Sequence, residues 1–334
     1  MNHFEQPYLV RLPPQLGRRT FDLLNDPVSP YRDFSELVAI ALENLLTLGQ
    51  APVDSRSQDA TEATSQDLLI EGEFLTLPKD VTVETASPQS SGKSLFVLTN
   101  RLNPIPVAAR ILLNMTLRNG SCPGVDDFVK TAGMYARDLG LRLRNEDESH
   151  GRKGPERRSV AWPVGEDASK SLDRFKGSFL LGDPGRGDDP GALVELGVAT
   201  LKGGLVFLTE LGLQLALAPS SLLGEASGST CSKEQQGLLL VAVSRMPAEM
   251  EEIGHFLNAL NNSNGSQAGI DRRLGLSHKN WTQNFVIAHR AAMLGRLRDL
   301  GLIETSGRGI KAVLTMTQEG AKFMEKETDG GVIA

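Results

Sequence analysis

Hydrophobic and polar positions alternate over residues 6–13, which places Leu9 and Arg11 together on one face of a predicted β-strand. Residues 14–25 are predicted to form a helix that begins with Pro14 in its first turn and ends before Asp26-Pro27. Residues 34–48 are predicted to form a second helix, which is apolar on nearly every side. The beginning of the chain therefore predicts a strand followed by two helices.

A strand of this kind cannot complete its hydrogen bonding within one chain, because no second strand follows to pair with its backbone groups. A second copy of the chain would supply that partner and would also cover the apolar helix at 34–48. The order strand, helix, helix resembles the ribbon-helix-helix fold of the Arc/MetJ repressor class. The resemblance implies a homodimer through residues 6–49, with Leu9 and Arg11 facing the DNA major groove.

The outward face of this strand departs from the pattern of the family, which usually carries several polar side chains there. In this sequence Arg11 can make a bidentate contact with guanine, and Leu9 can contact a thymine methyl group. The alternative interpretation is a dimerisation element that makes no contact with nucleic acid.

Composition divides the chain beyond the first domain, 1–50. Residues 51–67 are rich in Ser, Thr, Asp and Gln and are predicted to form a flexible linker. Two globular regions are predicted at 68–224 and 225–327, and residues 328–334 form a tail. The predicted fold class is mainly α with short β-strands (α+β).

The two globular regions end on one pattern, which covers residues 195–212 and 299–320. A helix stops at Leu-Gly, a strand follows, a glycine-rich turn reverses the chain, a second strand returns, and Thr-x-x-Gly opens a last helix. This pattern resembles the ending of winged-helix domains, with the hairpin as the wing. The resemblance implies tandem winged-helix-like domains, the first of them with insertions.

A long helix is predicted over residues 282–300, with Thr282 as its N-cap. In a winged helix this element would be the recognition helix. His289 is compatible with either side of it. The residues that we assign to its buried side are Phe285, Ala288, Ala292, Leu294 and Leu297.

Basic and amide side chains of this region can contact both base edges and phosphates. The alternatives are that they only solvate the surface, or that the domain docks a protein. The residues expected to contact DNA on the helix, just before it and on the wing are Arg272, Arg273, Lys279, Asn284, Arg290, Arg296, Arg298, Arg308 and Lys311.

Charge is distributed unevenly along the chain. The chain of 334 residues has a formal net charge of −6, yet residues 270–312 contain eight Lys or Arg and three Asp or Glu. A basic patch on an acidic chain is compatible with DNA binding. It is also compatible with ordinary solvated surface.

The sequence contains only weak matches to motifs for catalysis or for binding a metal ion or a cofactor. The Ser-Gly-Lys-Ser run at 91–94 resembles the end of a phosphate-binding loop, but Ser87 stands where that motif needs glycine. The five histidines and the two cysteines, Cys122 and Cys231, show no metal-ligand spacing. We therefore expect no catalytic residue, no metal, no cofactor and no enzyme activity.

The function predicted from these features is a dimeric, prokaryotic, cytoplasmic protein that binds double-stranded DNA as a sequence-specific transcriptional regulator. The absence of an apolar run of membrane-spanning length argues against a membrane partner. The alternative is a non-catalytic DNA-binding and docking subunit of a larger defence or maintenance complex, with protein partners on its winged-helix domains. A weaker third hypothesis is an enzyme with an unrecognised site within 68–224.

Overall fold

The computed structural model describes residues 83–84, 94–95, 99–153, 157–182, 190–220, 222, 230–278, 280–306 and 313–328. All of them lie in one compact unit, Lys79–Ala334. The predicted strand-helix-helix segment with Leu9 and Arg11 and the predicted linker at 51–67 lie outside the described residues. The same holds for the predicted DNA contacts Lys279, Arg308 and Lys311.

The described part of the chain is mainly helical with short antiparallel strands, which confirms the predicted mainly-α class at this level. Its first part begins with two long helices and ends in a hairpin and a short helix. The elements are α1 (Pro104–Asn119), α2 (Val125–Ser149), α3 (Ala168–Phe175), α4 (Ala192–Glu195), β1 (Ala199–Lys202), β2 (Leu205–Leu208) and α5 (Glu210–Leu217).

The second part repeats the sequence of helices, hairpin and helix. Its first helix begins at Ser232, whose side chain forms a reciprocal capping box with Gln235. The elements are α6 (Lys233–Val243), α7 (Pro247–Asn261), α8 (Gln267–Ser277), α9 (Gln283–Asp299), β3 (Ile303–Ser306), β4 (Val313–Met316) and α10 (Gln318–Thr328).

The core of the first part is built on α1, which is buried along almost its whole length and packs mainly against α5. Arg110 on α1 is also buried. Its guanidinium donates to the carbonyl oxygens of Ala216 and Ala218, at 2.9 and 2.7 Å. These bonds satisfy two carbonyl groups at the end of α5, where no helical partner exists.

The repeated ending predicted from the sequence is confirmed for both hairpins. Gly197 and Gly301 end the preceding helices in the left-handed region, with φ of 65° and 71°. Thr209 donates its hydroxyl to the carbonyl of Gly197 at 2.6 Å, and Thr317 donates to that of Gly301 at 2.7 Å. Each threonine thereby links the start of the last helix to the start of the hairpin.

The same two threonines cap the last helices. Thr209 accepts a hydrogen bond from the amide of Gly212, and Thr317 accepts one from the amide of Gly320. A Cβ atom at Gly212 would lie 2.0 Å from the carbonyl oxygen of Val198, and one at Gly320 would lie 2.3 Å from that of Leu302. In Thr-x-x-Gly, the threonine therefore caps the helix, and the glycine lets the helix backbone lie against a carbonyl oxygen where a side chain would not fit.

Each returning strand also receives a backbone contact from a loop earlier in the chain. Val206 on β2 donates to the carbonyl of Pro123, between α1 and α2, at 3.0 Å. Leu314 on β4 donates to the carbonyl of Gly265, between α7 and α8, at 3.3 Å. The loop before a helix thus adds to the hairpin in both parts.

A buried ion pair and two backbone hydrogen bonds join the segment before α1 to α9. Arg101 contacts Asp299 at 2.8 Å, and the carboxylate of Asp299 accepts the amides of Leu102 and Asn103. These contacts connect the regions predicted as 68–224 and 225–327 within one unit. Among the residues that the structure describes, no helix has the length and apolar character needed to cross a membrane.

Candidate nucleic-acid interface

α8 ends at Ser277 and α9 begins at Gln283, so the two helices follow each other in the order of a helix-turn-helix. Ser266 caps α8 by accepting the amide of Gly269 at 3.1 Å. Thr282 caps α9 by accepting the amide of Phe285 at 3.3 Å, which confirms the predicted cap and helix. The β3–β4 hairpin follows α9 directly.

Exposure changes sharply along α9. Its first half presents exposed side chains, with Phe285 and Ile287 exposed by 39% and 42%. Residues 292–297 are all buried. The helix is therefore anchored through its second half and projects a surface from its first half. The exposed residues of that surface are Gln283, Asn284, Phe285, Ile287, Ala288 and Ala291.

The prediction that Arg296 lies on the exposed side of α9 is wrong. Its side chain is fully buried, donating Nε to Glu249 at 2.7 Å and Nη1 to the carbonyl of Thr99 at 2.8 Å. Burial raises the pKa of Glu249 although the Arg296 charge opposes the shift. A guanidinium held inside by a carboxylate cannot reach a DNA groove.

The prediction that Phe285 and Ala288 lie on the buried side of α9 is also wrong, because both are exposed. Val286 and His289 take the buried positions in this half of the helix. The predicted burial of the other three residues assigned to the core side is confirmed, namely Ala292, Leu294 and Leu297.

Two further arginines of α9 contact neighbouring elements. Arg290 is half-buried and donates to Asp271 at 2.6 Å and to Gln267 at 3.0 Å, both on α8. Arg298 donates Nη2 to the hydroxyl of Thr305 on β3 at 2.7 Å. Arg290 thus holds the two helices together, and Arg298 lies against the hairpin. Contact of either with DNA stays a prediction.

The remaining described candidates lie at the surface of the helix pair. Arg272 and Arg273 are exposed on α8, and Arg273 donates Nε to the carbonyl of Asn262 at 2.9 Å. Asn284 is exposed in the first turn of α9. The structure therefore leaves these three predicted contacts in accessible positions.

A cluster of histidine and aromatic rings supports the first half of α9. His278 stacks on Trp281 with ring centroids 3.7 Å apart, and Trp281 lies 4.6 Å from His289 and 4.8 Å from Phe285. His289 Nε2 lies 3.1 Å from the Glu252 carboxylate on α7. The rings thus attach the turn to α7 and α9. The four rings lie within residues 278–289 at spacings of three and four residues, which is a signal that the sequence contains, whereas the contact with Glu252 comes from a separate helix.

Electrostatic interactions within the cluster favour the ionised form of the Glu252 side chain. Burial raises the pKa of Glu252, but the hydrogen bond with His289 and the neighbouring histidines outweigh it, so this pKa lies below its ordinary value. Burial lowers the pKa of His278, and the nearby His255 and His289 add to that effect against the attraction of Glu252. No group of His, Cys, Asp or Glu within the described ranges is arranged to hold a metal ion.

Comparisons with family models, with curated proteins and with solved structures each found no match to this chain.

Proposed function

We propose that this protein binds double-stranded DNA, with the α8–α9 pair as its principal contact. The observation that carries the proposal is the division of α9 into an exposed first half and a buried second half. Helix-turn-helix proteins contact base edges with the N-terminal residues of their second helix. The free surface of α9 lies at that end.

The rigid attachment of α9 supports the same role. Arg296 and Glu249 fix its second half through a fully buried pair, and Arg290 fixes its middle to α8. A helix that reads bases must hold its side chains in a fixed register against the duplex. The interior contacts of α9 supply that support and leave its first turns accessible.

Phosphate contacts are available beside the helix. Arg272 and Arg273 are exposed on α8, where cations can position a protein on the DNA backbone without reading sequence. Residues 270–312 also hold more basic than acidic side chains. These charges support an electrostatic contribution to binding that weakens with added salt.

The wider proposal joins this contact to features inferred from the sequence. It comprises a homodimer through a ribbon-helix-helix segment at 6–49, tandem winged-helix-like domains, a cytoplasmic location and regulation of transcription at a specific site. The paired hairpins with their threonine caps support the winged-helix part of the proposal.

Introducing a negative charge on the exposed face tests the proposal. In the full chain, Ala288→Glu should weaken binding to a random-sequence duplex pool by about tenfold or more, because the new carboxylate would oppose phosphates. Ala321→Glu is the matched control, since Ala321 is an exposed alanine on a different helix, α10. Fluorescence anisotropy at fixed salt measures both. Absence of duplex binding by the unmodified chain would refute the proposal.

A second candidate function is docking of a protein partner by the same face. It is favoured by exposed apolar side chains on and near α9, with Leu276, Ile287 and Val313 exposed by 69%, 42% and 44%. The salt dependence and the base preference of DNA binding separate the two roles. A site-specific regulator loses about 1–3 kcal/mol of binding free energy for each mismatched base pair. A docking subunit would show steep salt dependence with little base preference.

A further inference from the structure

The exposed face of α9 carries amide and apolar side chains and no charge. Asn284, Ala288 and Ala291 follow each other at helical spacing and form one stripe. Gln283 and Ile287 form the neighbouring stripe. The face is therefore a row of two carboxamides at the N-terminal end, followed by small and branched apolar groups.

The arginines of α9 do not contribute to this face. Arg290 is engaged with Asp271 and Gln267, Arg296 is buried against Glu249, and Arg298 contacts the hairpin. Bidentate arginine is the commonest contact that selects guanine in the major groove. The exposed half of α9 therefore lacks the side chain that best recognises G·C pairs.

We propose that this face reads A·T pairs in the DNA major groove, an inference that rests on the proposed function. A carboxamide matches adenine, because it can accept from N6 and donate to N7 at once. Asn284 and Gln283 are placed for this contact, and Ile287 and Ala288 are placed to meet the C5-methyl group of thymine. The face thus has counterparts for adenine N6 and N7 and for the thymine methyl group.

Charge around the face favours a polyanion as its occupant. Asp271 is paired with Arg290, and the Glu252 carboxylate lies 3.1 Å from His289 Nε2, so both carboxylates beside the first half of α9 have partners. Arg272 is exposed on the adjoining helix and adds a positive charge beside the face. Of the acidic residues within 270–306, Glu304 on β3 is the exposed one. This distribution of charge fits a DNA duplex whose phosphates lie beside the exposed face of α9 and whose base edges contact it.

The first test is binding selection on random duplex DNA with the full chain and its variants. We expect an enriched site with an A·T element that Asn284→Ala loses, at a cost of about tenfold in affinity for the selected site. Asn284→Arg should move the preference at one position to G·C. Asn145→Ala on α2 is the matched control, because Asn145 is an exposed helical asparagine outside this region, and it should retain the site.

The second test separates the major groove from the minor groove, because an A·T preference can also arise from minor-groove shape. Replacing adenine by 7-deazaadenine removes the N7 acceptor, and replacing thymine by uracil removes the methyl group. Both changes leave the minor-groove edges intact. We expect each change to weaken binding of the unmodified chain. In Asn284→Ala, the 7-deazaadenine change should have no further effect, whereas the uracil change should still weaken binding, because Ile287 and Ala288 remain to contact the methyl group. Equal affinity for modified and natural duplexes would overturn the inference.

The inference and the proposed function fail in different ways. If the chain binds duplex DNA with a site that is rich in G·C, or with an A·T preference that Asn284→Ala leaves unchanged, DNA binding stands and A·T reading by α9 is refuted. If the chain binds no duplex, the proposed function itself is refuted.

Discussion

The two helix-hairpin-helix units of this protein close in the same way but differ in the helix that leads into the hairpin. In the first unit that helix is α4, which has four residues, all of them buried. In the second unit it is α9, with 17 residues and an exposed first half. The shared threonine and glycine closure therefore accompanies two different surfaces.

This difference shows that the repeated motif secures folding and does not by itself create a binding surface. Thr209 and Thr317 make equivalent hydrogen bonds of 2.6 and 2.7 Å. The same kind of bond therefore joins each hairpin to the helix that follows it. The second unit alone, within the described chain, combines this closure with a long exposed helix. We therefore place the proposed DNA contact in the second unit.

The largest expected effect comes from removing the buried anchor of α9, which the second unit has in addition to the shared closure. Arg296→Ala should lower the free energy of unfolding by about 3–5 kcal/mol, because it leaves the Glu249 carboxylate buried without its partner. Chemical denaturation measures this loss, with Arg272→Ala as the exposed control. A loss below about 1 kcal/mol would show that this pair does not anchor the helix.

A smaller effect, expected to be equal in the two units, tests the shared closure. Gly212→Ala and Gly320→Ala should each lower the free energy of unfolding by about 1–3 kcal/mol, because the added methyl group meets a carbonyl oxygen. Gly237→Ala on α6 is the control: a Cβ there has no neighbour within 4 Å, so stability should rise by about 0.5–1 kcal/mol. If one of the two units tolerates alanine, the closures are not equivalent.

The smallest expected effect is a pH dependence specific to the second unit. The pKa of His278 in the folded protein lies below its ordinary value of 6.5, so the unfolded chain binds a proton more readily. Stability is then fully present above about pH 6.5 and falls as the pH drops toward the folded pKa. His278→Gln should reduce this loss in thermal unfolding, whereas His150→Gln in the first unit should not. An unchanged profile for His278→Gln would contradict the assignment.

The errors in the sequence interpretation of α9 share one cause. Periodicity assigns a single buried side to a helix, but α9 has a half that is buried all round and a half with an exposed face. Phe285 was therefore predicted inside and Arg296 outside, while the structure has the reverse. Arginine is rarely buried without a paired charge, and its partner Glu249 lies on another helix.

Local features of the chain were determined by the sequence alone. The bounds of α9, its Thr282 cap and the Thr-x-x-Gly closure depend on residues within a few positions of each other, and all three were predicted correctly. The pairing of Arg296 with Glu249, the contact of His289 with Glu252 and the exposed face of α9 were decided by the tertiary structure. Each depends on which distant segments pack together, and hydrophobic spacing within one helix carries no information about its neighbours.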